Sequence, residues 1–334
     1  MGQTDSSPNY ESEALWFYNQ ALWTPCLLPD VGIDESLLKY SGSDSNAVLQ
    51  AYSNDMANSV PGYIRGLGSV WGPMASIPNA VGLGALVISL IMELFIKSSG
   101  QNRENTYSLL QRVFGEEKAS SVRDTMSEYL KRHRTHIKDD QKIREEISGL
   151  EKQLSNHLTI LTNSLLHDDQ MSSRGFKIWV NGAAFHVQML IHEARLNIQT
   201  GKPASVYLNA IEAAINLYLQ ELDDLLEKYK TYKINSGIFS FSPEHHVACC
   251  YMAAGTYSPS ACFMNNKDVK YCELKLNKYE YDCSDRKMVQ AFMDIVYSNY
   301  EPIKGIKSYF LNIKNNLNSL IHERGSFTVP SAAG

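Results

Sequence analysis

The chain has 334 residues, room for one or two domains, and its 44% apolar and 20% charged content excludes a disordered polyelectrolyte. A net charge of −5 and a pI near 6.0 exclude the concentrated basic face of a nucleic-acid binder.

The start of the chain lacks a basic segment followed by an apolar one, so no secretory signal is read there. The expected location is cytoplasmic or membrane-associated, with export by a non-classical route left open. MGQTDS fits the N-myristoylation pattern and makes Gly2 a lipidation candidate. One acyl chain alone would hold a membrane only marginally. Tyr10 to Trp23 carries Leu15, Trp16, Tyr18, Leu22 and Trp23 and reads as a short aromatic helix, ended by Pro25 and docked on the body. An interfacial anchor is the alternative, opposed by acidic flanks.

Asp44 to Val60 predicts a second helix with Val48, Leu49, Tyr52 and Met56 on one face. A Gly- and Pro-rich lead-in follows. It opens onto the one long apolar run, Ile77 to Ile96, whose single charge is Glu93. Twenty residues in a helix rise about 30 Å, the thickness of a bilayer core. Ser76 is the expected N-cap and Pro78 lies in the first turn. Ala80/Gly84 and Ala85/Ser89 are small pairs four apart, a spacing that lets backbones approach closely.

Thr106 to Ile137 is helical in pattern, with a break at Gly115. Its basic end, Lys131 to Lys138, reads as a solvated helix terminus. Asp140 to Leu166 is the clearest helix, with Ile143, Ile147, Leu150, Leu154, Leu158, Leu161 and Leu165 forming a coiled-coil-like seam. Arg174 to Ile198 and Ala204 to Tyr232 are two more long helices, parted by the stop QTGKP. Short loops between long helices predict antiparallel neighbours. Residues 236–285 break the pattern and carry Cys249, Cys250, Cys262, Cys272 and Cys283 among short alternating pieces, a small β insert. Arg286 to Tyr300 and Ile306 to His322 are the last helices, interrupted at Pro302 and Gly305. From Gly325 onward a free tail is expected.

Catalytic and metal motifs are absent. The HHVACC stretch lacks Cys-x-x-Cys spacing, so no metal is expected; the five insert cysteines are disulfide candidates, with reduced thiols equally open. His186 and His192 lie six apart and share no helix face, and HVQMLIHE is not a zinc-protease signature. Both are expected to be structural. No phosphate loop, dinucleotide fingerprint or nucleophile elbow occurs. The expectation is therefore a non-enzyme with no cofactor and no small-molecule substrate.

The succession VWGPMASIPNAVGLGALVISLIMELF, TYSLLQRVFGEE, SSVRDTMSEYLKRH, KIWVNGAAFHVQMLIHEARLN and MVQAFMDIVYSNYEPI resembles the rapunzel-like proteins of bony fishes over about residues 60–322. The acidic aromatic start and the cysteine insert depart from that pattern. The resemblance implies a mostly helical protein with no established catalytic activity and a developmental role in skeleton and fin. It carries over no functional residues. The architecture is also similar to α-helical pore-forming toxins of the hemolysin E class.

The expected fold is mainly α: an elongated antiparallel helix bundle around an apolar central helix, with the small Cys-rich β insert. Its segments are residues 1–60 (acidic, aromatic), 61–235 (bundle), 236–285 (insert), 286–323 (closing helices) and 324–334 (tail). The expected function is conditional membrane interaction, with Ile77, Val81, Leu83, Leu86, Val87, Ile88, Leu90, Ile91, Leu94 and Phe95 meeting lipid, and homo-oligomers a natural consequence if pores form. The alternative is a soluble or lipid-tethered interaction scaffold.

Overall fold

A computed structural model describes residues 10–23, 28–71, 76–98, 120–236, 260–262, 273–275 and 286–330. They are mainly helical. The helices are α1 Tyr10–Ala21, α2 Glu35–Lys39, α3 Ser45–Ser59, α4 Tyr63–Trp71, α5 Leu83–Ser98, α6 Ser121–Thr135, α7 Asp140–Leu166, α8 Ser173–Ile198, α9 Ala204–Ser236, α10 Arg286–Asn299 and α11 Glu301–His322. Four short strands accompany them: β1 Ser76–Ile77, β2 Ser260–Cys262, β3 Glu273–Lys275 and β4 Phe327–Thr328. β1 pairs antiparallel with β4, and β2 with β3. The rest of the cysteine insert, the Gly115 region and Gly2 lie outside the described residues, as do Cys26, Cys249, Cys250, Cys272 and Cys283.

The chain divides into two compact units. The first gathers Met1–Val31, Leu165–Phe176 and Asp223–Gly305. There α1 packs on α10, with Ala14, Phe17, Tyr18 and Ala21 buried on one side and Met288, Val289, Phe292, Met293 and Val296 on the other. Leu15 and Leu22 are about half exposed and Trp23 is 87% exposed, because the helix turns its alanines and Phe17 inward, where close packing on α10 is possible. In the same unit the Phe176 and Tyr229 rings lie 4.9 Å apart, and Lys230 pairs with Asp294 at 2.6 Å.

The second unit holds Gly32–Ser164, Lys177–Leu222 and Ile306–Gly334. α7 takes the bounds its leucine spacing dictates, since one apolar residue every three or four positions keeps a single stripe facing the core. Ile143, Ile147, Leu150, Leu154 and Leu158 are buried, while Leu161 is half-buried. Thr162 occupies the inward place beside it and accepts a 2.8 Å hydrogen bond from Trp179 Nε1. The α8 residues of this unit are buried all round, including Trp179, Ala183, Phe185, Val187 and Ile191, so α8 shares the centre with the apolar run. α6 starts at Ser120, whose Oγ accepts from Arg123 N, and α3 is flanked by Asp44 and Val60 as its spacing predicts.

Three expectations are corrected here. The apolar run is not one helix from Ile77: Ser76 and Ile77 form β1, a turn occupies 78–82, and helix begins at Leu83. Asn79 and Gly82 adopt φ of +50° and +54°, values no right-handed helix contains. The expected break between the two closing helices is present but falls at Tyr300 alone, so the second helix starts at Glu301 and not at Ile306. Pro302 sits in the first turn of α11, where a missing N–H costs nothing, and Gly305 continues it. The described part of the tail, as far as residue 330, is not free. Phe327 is fully buried, pairs with Ile77 and meets Trp71 edge-on at 5.7 Å. Burying one phenylalanine contributes about 1.5–3 kcal/mol, enough to order a short segment. The Gln50 side-chain amide bonds Thr328 on both its N–H and C=O, finishing the ladder edge.

Candidate functional site

The apolar run holds the candidate membrane-contacting residues. Ile77, Ala80, Val81, Leu83, Ala85, Leu86, Val87, Ile88, Leu90, Ile91 and Met92 are all buried. Residues Leu94 and Phe95 lie within α5, but their side chains are outside the described set. Among the described residues no helix is long and apolar enough to cross a membrane. The sixteen residues of α5 rise only about 24 Å, because the first part of the run is spent on β1 and the turn.

That turn is clasped by a buried polar ring. Arg195, on α8, donates Nε to Leu320 O at 2.6 Å, Nη1 to Val81 O at 3.3 Å and Nη2 to Glu323 Oε2 at 2.7 Å. Ser45 Oγ donates to Glu323 Oε1 at 2.9 Å and accepts from Gly82 N at 2.8 Å. The ring thus runs from Val81 through Arg195, Glu323 and Ser45 back to Gly82. Outside it, Asn46 Nδ2 donates to Ala80 O, Ala80 N donates to Gly325 O, and Asn79 bonds both Asp140 and Gln199. Burial lowers the Arg195 pKa to about 10, with Glu323 acting in the opposite sense. Burial raises the Glu323 carboxyl, and Arg195 partly offsets it. A guanidinium supplies the planar fork that three converging acceptors require.

The clasp dictates two glycines. A side chain on Gly82 would collide with the Arg195 guanidinium, and the positive φ disfavours one in any case. On Gly84 a Cβ would strike the Asn79 carbonyl oxygen.

Beside the clasp lies a pair of buried histidines. His133 on α6 and His192 on α8 meet edge-to-face with ring centroids 5.2 Å apart. Tyr129 stacks on His133 and its hydroxyl bonds His192 Nδ1 at 2.7 Å. Each ring keeps one nitrogen, His133 Nδ1 and His192 Nε2, without a hydrogen-bond partner. Burial pushes His133 down to about 4. His192 is also held well below the ordinary value, by burial first and then by His133 and Arg195. Both rings are neutral at pH 7.

His186 makes the contrast. Its Nε2 lies 2.9 Å from Glu151 Oε1 and its Nδ1 2.8 Å from Tyr218 Oη, so both nitrogens are engaged. It and His192 belong to separate networks, as six-residue spacing requires. Sequence reasoning placed His133 in a solvated basic end. Its neighbours Lys131, Arg132 and Arg134 are exposed, but His133 follows Val122, Met126 and Tyr129 at helical spacing on the buried face. Ser45, Arg195 and Glu323 were also missed. Arg195 carried only a weak signal, as one of four charged residues on α8, set in its apolar C-terminal half.

Of the remaining candidates, Cys262 lies in β2, and Gly2 and the other cysteines are outside the described residues. Among the described residues no group of three or more His, Cys, Asp or Glu side chains is placed to hold a metal ion. Comparison with known protein families, with curated proteins and with solved structures finds no significant match.

Proposed function

We propose that the protein is a non-enzymatic, membrane-interacting helix bundle that stores an apolar segment and delivers it conditionally to a bilayer. The observation that carries this reading is the split of the run: its helix is cut short at Leu83 by a strand and a turn, held by a buried polar ring. Releasing that ring frees residues 77–82 to join the helix. The joined segment of twenty residues would rise about 30 Å, a bilayer core's depth, with Pro78 in its first turn. Hydrocarbon would accept it, since its backbone bonds are then satisfied within the segment and Glu93 is its only charge.

The test is dye release from, and co-sedimentation with, phosphatidylcholine vesicles across pH 4–7.5, with Leu86→Asp and Ile88→Asp alongside the native chain. Release by the native chain and its loss in both variants is the expected result. Neither release nor co-sedimentation at any pH or lipid composition would sink the reading.

A second reading is favoured by the burial of the run within its unit: α5 is a permanent core helix of an interaction scaffold. The aspartate variants would then unfold in water, by burying an unpaired charge, and the native chain would ignore vesicles.

A further inference from the structure

We propose that His133 and His192 form an acid-sensitive lock on α5: protonating the pair disrupts its packing between α6, α8 and α5 and frees the clasped turn. This rests on the storage-and-delivery reading and supplies its trigger.

Three features of the geometry carry it. The two rings are 5% and 1% exposed and lie against each other, so the second charge would form beside the first. Each has a ring nitrogen with no hydrogen-bond partner, and an added proton there would be a buried, unpaired N–H. Third, the pair adjoins the segment it would release. α6 packs on α5, and a Cβ on Gly84 would come 3.9 Å from His133 Cε1. Across from it, Arg195 is one helical turn from His192 on α8 and holds Val81 directly.

The surrounding charges offer no relief. α5 brings no titratable group over Leu83–Met92. α6 contributes Tyr129, and its Arg132 and Arg134 are solvent-exposed. α8 contributes Arg195, a cation that opposes a second one, and Glu193, whose charge partners are Glu151, Lys152 and Lys202. Glu323 and Arg324 follow α11 and act on Arg195.

The sign is fixed by the shift. His133 has a folded value of about 4 against an ordinary 6.5. Its stabilisation is complete above 6.5 and disappears as the pH falls through 4. The opened form binds the proton more readily, so for His133 alone opening rises roughly twenty-fold between pH 7 and pH 5. Glu323 works the other way: its raised value favours the folded state in acid, so acid opening is not assigned to it.

The test needs no membrane. Amide protection factors of Leu83–Met92 are measured from pH 7 to pH 4 on the full chain, native and with His133→Phe or His192→Gln. Protection in the native chain should fall at least roughly twenty-fold between pH 7 and pH 5, with a shallower fall in each variant that keeps its circular dichroism at pH 7. Imidazole shifts of the native chain give the same answer without a variant, because both rings must titrate with the opening of α5. Flat protection in the native chain, an unchanged fall in a folded variant, or imidazole titration a pH unit away from the opening overturns the proposal. Opening in acid without vesicle uptake would sink the membrane reading and leave the lock intact.

Discussion

Arg195 Nη2 donates to Glu323 Oε2 at 2.7 Å, with the two side chains 2% and 9% exposed. The bond joins α8 to the residue just beyond α11, and both partners also reach the turn before α5, Arg195 directly and Glu323 through Ser45. Removing one member of a buried pair costs more than the pair contributes, because the other is left charged and unpaired. Arg195→Met should therefore destabilise the chain by about 3–5 kcal/mol in urea unfolding. Glu323→Gln should cost less, since an amide oxygen still accepts from the guanidinium. Equal stability of native and Arg195→Met proteins would show that the ring does not hold the turn.

The turn makes its own demand. Gly84→Ala must displace the Asn79 carbonyl, whose residue already sits at positive φ, so a loss above about 1 kcal/mol is expected. Gly149→Ala is the control. It lies on the exposed side of α7 with open space around it and should gain about 0.4–1 kcal/mol. Thermal midpoints of the two variants moving in opposite directions would bear this out.

Phe327→Ala removes a fully buried ring from between β1 and Trp71, and a cost of about 3–5 kcal/mol follows. Tryptophan emission should also shift red as Trp71 meets water. A loss below about 1 kcal/mol would return the tail to the status of an appendage.

Stability should fall with acid. For His133 the difference between 6.5 and about 4 corresponds to roughly 3 kcal/mol, present above pH 6.5 and gone once the pH has passed through 4. His192 adds to it in the same direction. Urea midpoints recorded between pH 7.5 and pH 4 should slope accordingly, and less steeply in His133→Phe. A flat native profile would contradict the neutral, buried state of the pair.

Much of this was legible from residue spacing. α7 could be read to its ends because its apolar stripe persists over seven turns and Asp139 and Asp140 open it. The extent of α3 could be read between Asp44 and Val60, but its buried face is Ser45, Leu49 and Ser53, with Val48, Tyr52 and Met56 only half-buried. What escaped was made of contacts distant in sequence. A two-residue strand has no period, and the partner of Phe327 lies at Ile77, so nothing local marks either. The helix start at Leu83 rather than Ile77 is set by Arg195, Glu323 and Ser45 acting together on a turn that local propensity leaves open. His133 shows the remaining source of error: three basic neighbours masked a position whose register put it inside.

The central claim is that α5 is stored in the core and can be handed to a bilayer. Amide protection of Leu83–Met92, measured at pH 7 and pH 4.5 with and without phosphatidylcholine vesicles, tests it most directly. The account predicts high protection at pH 7 in both cases, a loss at pH 4.5 in water, and protection restored at pH 4.5 when vesicles are present. Protection that ignores vesicles at both pH values would contradict it.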